Sequence, residues 1–74
     1  YSKNWSYFKA KLDDEIAEAV VKLADNYSVL QFCINEQRLG NTSPDIMEIF
    51  VNANQRVDAS IDKVNRLLKE ANYL

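Results

Sequence analysis

The chain has 74 residues, eleven acidic and nine basic, a net charge of −2, no histidine and one cysteine. A single small domain of that size buries too little surface to be robust alone. With no internal disulfide available and no imidazole to hold a metal, association with another chain is the support left to it. The acidic balance speaks against a general nucleic-acid or anionic-membrane binder, no apolar run exceeds three residues, and no signal-peptide pattern is present, so no membrane span is expected.

From Asn4 to Leu39 there is no glycine or proline. Trp5, Phe8, Leu12, Ile16, Val20, Leu23, Tyr27, Leu30 and Ile34 recur at three- and four-residue steps, the stripe of an amphipathic helix. The weakest stretch is Asp25-Asn26-Tyr27-Ser28, where helix propensity is poor. A break near Asn26 gives the alternative of a three-helix bundle. The stripe crosses the stretch without changing phase, and one continuous helix over about 4–39 is the expectation.

The only glycine and the only proline follow within five residues of each other. Gly40 suits the left-handed residue that closes a helix, Ser43 suits an N-cap, Pro44 the first helical position and Asp45 the positive helix end. A second helix is therefore expected over about 44–73. Its stripe of Ile46, Phe50, Ala53, Val57, Ser60, Val64, Leu67, Ala71 and Leu74 alternates steps of four and three without fault, as in coiled-coil packing. The short connection makes the helices antiparallel neighbours. Facing numbers that add to about 83 set Leu12 against Ala71, Ile16 against Leu67 and Leu23 against Ser60. The expected core is Leu12, Ile16, Val20, Leu23, Leu30 and Ile34 from the first helix, with Phe50, Val57, Val64 and Leu67 from the second.

More apolar surface is present than one seam uses. Ala17, Val21, Ala24 and Phe32 flank the first stripe, and Ile49, Ile61 and Leu68 widen the second. A wide stripe implies more than one neighbour, and two hairpins closing into a four-helix bundle is the simplest solution. Residues 1–8 run past the end of the second helix and carry Tyr1, Trp5, Tyr7 and Phe8, half of a set of one Trp, four Tyr and three Phe. Aromatic side chains of this kind dominate interface energetics. The candidate partner-binding residues are accordingly Trp5, Tyr7, Phe8, Val21, Phe32, Ile49, Ile61 and Leu68.

Catalytic chemistry finds little purchase. Asp13, Asp14, Glu15 and Glu18 lack the histidines of a helical di-metal site, and Lys11, Lys22 and Arg66 are at hand to neutralise carboxylates. Cys33 has no histidine or helix N-terminus to activate it and reads as a small buried hydrophobe. No phosphate-binding loop, nucleophile elbow or zinc spacing occurs. No enzyme activity, cofactor, metal or small-molecule substrate is expected. A cluster of Lys9, Lys11, Lys63, Arg66 and Lys69 towards the open end supports an alternative, a small nucleic-acid-binding hairpin, although interleaved carboxylates cancel much of its field.

Three Asn-x-Ser matches, at Asn4, Asn26 and Asn41, are read as chance. Asn26 falls on a helix, and a lone cysteine fits an intracellular, cytoplasmic protein. The chain opens on Tyr1 and its one methionine is Met47, which suggests a single helical domain, residues 1–74, excised from a larger protein. The functional expectation is a non-enzymatic oligomerisation or adaptor module. Its expected partner is a protein, either a second copy in a homodimer or another helical chain.

Overall fold

The computed structural model describes residues 2–74, with side chains from Asn4 onward; Tyr1 lies outside the described residues. Two helices, α1 (Ser2–Arg38) and α2 (Pro44–Glu70), pack against each other as an antiparallel hairpin. The molecule is a rod of 58 × 17 × 14 Å, its length set by the 37 residues of α1 at about 1.5 Å of rise per residue.

Punctuation residues make the bend as the sequence implies. Gly40 takes φ +94°, its N–H donates to the Gln37 carbonyl at 3.0 Å, and the Asn41 N–H reaches back to Glu36 at 2.9 Å. Those two bonds are the Schellman pattern, which satisfies carbonyls that the last turn leaves open. Ser43 then adopts an extended conformation and its Oγ accepts from the Ile46 N–H at 3.4 Å, with Pro44 opening α2. A second Schellman closure ends α2. Asn72 sits at φ 65°, its N–H donates to Lys69, and the Tyr73 N–H donates to Leu68 at 2.9 Å. The second helix therefore stops at Glu70, short of residue 73, because asparagine tolerates the left-handed conformation better than other side chains.

α1 runs unbroken through Asp25–Ser28, and the three-helix alternative is excluded. Two side chains make this poor stretch tolerable. The Ser28 Oγ donates to the Ala24 carbonyl one turn earlier at 3.0 Å, and the Asn26 Nδ2 donates across the seam to the Ser60 Oγ at 2.9 Å. The bonded pair Asn26 and Ser60 has numbers that add to 86, within one turn of the expected register of about 83.

The seam on α2 is as expected from Ile46 to Ala71, with Ile46, Ala53, Val57, Leu67 and Ala71 buried and Phe50, Ser60 and Val64 half-buried, whereas Leu74, the last residue of the expected stripe, lies beyond the helix and is exposed. The seam on α1 differs. It runs Leu12, Ile16, Ala19, Leu23, Asn26, Leu30, Cys33 and Gln37, alternating four and three. Val20, expected in the core, is 47% exposed, and Tyr27 is 55% exposed. The reason is geometric. Steps averaging 3.5 residues hold a line facing one partner, whereas successive steps of four walk the line round the helix. The seam takes Ala19 over Val20 and Asn26 over Tyr27 despite their size and polarity. Leu12, Ala19, Leu67 and Ala71 form one cluster, with Ile16 and Val64 packed on it, so large and small residues alternate in the layers. Cys33 is fully buried in the same line.

The open end is tied by Tyr73. Its hydroxyl donates to Asp13 Oδ1 at 2.8 Å, and the Lys9 ammonium lies 5.0 Å from its ring centroid. Towards the bend, the Gln37 Nε2 lies 3.6 Å from Met47 Sδ.

Two stability changes follow. A Cβ on Gly40 meets nothing within 4 Å, so Gly40→Ala pays only for the left-handed backbone, about 1–2 kcal/mol. Gly40→Asn costs less, as thermal unfolding by circular dichroism would read. For the polar layer, Ser60→Ala alone leaves the half-buried Asn26 amide without its partner and lowers stability by about 1 kcal/mol. Asn26→Leu combined with Ser60→Ala is neutral or stabilising, since both partners leave together.

Candidate protein-interaction surface

The apolar residues of α2 gather on one side, while those of α1 are spread round its circumference. The seam faces α2, and what remains on α1 divides between the two flanks of the hairpin and its back. On one flank, Val20, Tyr27 and Ile34 stand seven residues apart on α1, beside Met47, Ile61 and Leu68 on α2, where Ile61 and Leu68 are also seven apart. Seven residues are close to two helical turns, so each set holds one line along its helix. Between the lines lies a groove of about 350 Å³ lined by Val20, Leu23, Ala24, Tyr27, Val57 and Ile61, almost wholly by apolar atoms.

The other flank is different in kind. Glu15, Glu18, Ala19, Lys22 and Lys63 line one hollow there, and Asn26, Val29, Ile49, Asn52, Ala53 and Arg56 line another. Charges of both signs and amides alternate with single apolar side chains. That composition suits contact with water.

The candidate residues named from the sequence therefore separate. Ile61 and Leu68 belong to the apolar flank. Ile49 lies on the charged flank beside Val29, and Phe32 is exposed on α1 at a seven-residue step from Asp25. Val21 shares a shallow hollow with Ala17, Glu18, Lys22 and Asp25 on the back of α1. At the open end Trp5 and Phe8 pair with ring centroids 6.0 Å apart and planes tilted by 36°. Tyr7 stands apart at 76% exposure, and Tyr7 and Phe8 line a hollow with Lys11, Leu12, Glu15 and Glu70.

Two residues of the apolar flank, Val20 and Ile34, were expected in the core from the sequence, and Tyr27 was expected in the stripe that carries it. The signal that would have placed them is their own seven-residue spacing, parallel to the seam and one position to its side. Met47 was overlooked because a lone methionine after a proline-capped start reads as part of the first turn.

The basic residues do not share one unbroken patch. Lys11 shares its hollow with Glu15 and Glu70, Lys63 with Glu15 and Glu18, and Lys9 is stacked on Tyr73. Arg66 and Lys69 are exposed on the last turns of α2. Among the described residues no three Cys, Asp or Glu side chains gather as a metal site would require, and no helix is long and apolar enough to cross a membrane.

Compared with family models, with curated proteins and with solved structures, the chain finds no match.

Proposed function

We propose that this chain is a non-enzymatic protein-interaction module, a helical hairpin that completes its hydrophobic core against another chain. The observation that carries this reading is the surface that the hairpin leaves open. It exposes 5719 Å², where a compact monomer of 8.5 kDa exposes about 4,700 Å². Its radius of gyration is 16.8 Å, against about 11 Å for a compact domain of this length. The surplus of about 1,000 Å² is of the size that one partner contributes to a standard protein interface, about 800 Å².

Apolar side chains occupy much of that surplus, among them Val20, Tyr27, Met47 and Ile61. A row of apolar side chains held in water along one flank gives up part of the stabilisation that its burial supplies, about 25 cal/mol per Å². A second helical layer recovers it. Two helices joined by one seam then become part of a bundle in which each helix has two neighbours, as the spread of apolar residues round α1 requires.

The reading makes a prediction for the isolated chain. Its melting temperature rises with its own concentration, or it binds the dye ANS through the open flank and melts broadly until a partner is supplied. A sharp, concentration-independent melt with no ANS binding would contradict it.

A further inference from the structure

We infer that the chain seated on the apolar flank is a second copy of this one; the inference rests on the reading that the core is completed by association. Four observations lead to the second copy. The first is charge. The flank's lines, Val20-Tyr27-Ile34 and Met47-Asn54-Ile61-Leu68, contain no Asp, Glu, Lys or Arg; Asp13, one seven-residue step before Val20, lies outside the groove and accepts from the Tyr73 hydroxyl. Two copies therefore stack there without burying like charges, which an isologous interface must avoid because each patch meets itself. The opposite flank, with Glu15, Glu18, Lys22, Lys63 and Arg56, would have to desolvate charges on both copies.

The second is position. A two-fold axis running across the helices overlaps two hairpins along their length only when it passes near their middle. Val20 lies midway along α1 and Val57 midway along α2, and both line the apolar groove.

The third is area. The rod presents sides 58 Å long and 14–17 Å wide. One such side, covered along most of its length, supplies the roughly 800 Å² per partner of a standard interface. The area left open by the hairpin and the area a stable dimer buries are thus alike.

The fourth is shape. Next to the line of Val20 and Tyr27, α1 carries Ala10, Ala17 and Ala24 at seven-residue steps, all exposed. Small side chains beside large ones let a facing helix come close enough for Val20, Tyr27 and Ile61 to interdigitate. A two-fold axis between the two stacked hairpins that runs across the helices sets every helix antiparallel to its neighbours, the arrangement of an up-and-down four-helix bundle.

The test separates the flank from the partner. Ala24→Cys places a small thiol in the apolar groove and Asn52→Cys places one on the opposite flank, while native Cys33 is fully buried and does not compete in the folded chain. Alkylation by iodoacetamide is followed as chain concentration rises. The expected result is a several-fold slowing at Ala24→Cys and an unchanged rate at Asn52→Cys. Gel filtration supplies the second readout. Val20→Glu with Ile61→Glu runs as a monomer at concentrations where the unaltered chain and Val29→Glu with Ile49→Glu run as dimers. Slowing at Asn52→Cys instead of Ala24→Cys would overturn the choice of flank. A chain that stays monomeric and binds ANS would overturn the second copy and leave association with a different protein standing. A monomer that binds no ANS would overturn both.

Discussion

Everything in this molecule depends on one line of contact, the seam in which α1 and α2 touch through side chains spaced alternately by three and four residues. It decides which residues are inside. Ala19, Asn26 and Cys33 enter because they fall on the line, and Val20 and Tyr27 stay outside because they fall one position beside it. A single seam between two helices has an inherent shortfall. It buries one stripe per helix and leaves the flanks to solvent, so a chain with more than one apolar stripe needs a further surface. Among the residues whose side chains are described, eight are buried, and four of them are alanine or cysteine.

The polar layer at Asn26 and Ser60 gives the seam direction and register at some cost in stability. The half-buried Asn26 amide has Ser60 as its partner across the seam, so slipping the helices by a turn would break that bond. Tyr73 performs a related task at the open end, joining α2 to Asp13 and Lys9 sixty or more residues away in sequence. Between them these contacts pin the hairpin at its middle and at its end, and the Gly40 closure pins it at the bend. The apolar flank is therefore presented by two helices held in one register by these contacts.

How much of this is legible in the sequence varies with the kind of signal. Gly40, Ser43 and Pro44 announce the bend because each has a backbone requirement that few other residues meet. The stripe on α2 is legible because its apolar and small residues keep alternating steps of four and three from Ile46 to Ala71. The stripe on α1 is misleading for a physical reason. Ranking by hydrophobicity picks the larger side chain at each turn, Val20 over Ala19 and Tyr27 over Asn26, whereas the seam picks by angle. A search for a constant 3.5-residue step would have found the right line, and with it the second line of Val20, Tyr27 and Ile34. The left-handed cap at Asn72 was hidden because asparagine has many roles in a polar stretch and glycine has few. The division of Ile49 from Ile61 and Leu68 between two flanks depends on which way each helix is rotated about its axis. Spacing along one helix does not reveal that rotation until the facing helix is placed.

The central claim is that this hairpin is half of a bundle, with its Val20–Tyr27–Ile61 flank covered by a second copy. Sedimentation equilibrium of the unaltered chain, over a wide range of concentration, measures it most directly. The account predicts a reversible approach to a single species of twice the 8.5 kDa chain mass, with helicity rising as that species forms. A mass of one chain at every concentration, with helicity complete from the most dilute sample onward, would contradict it.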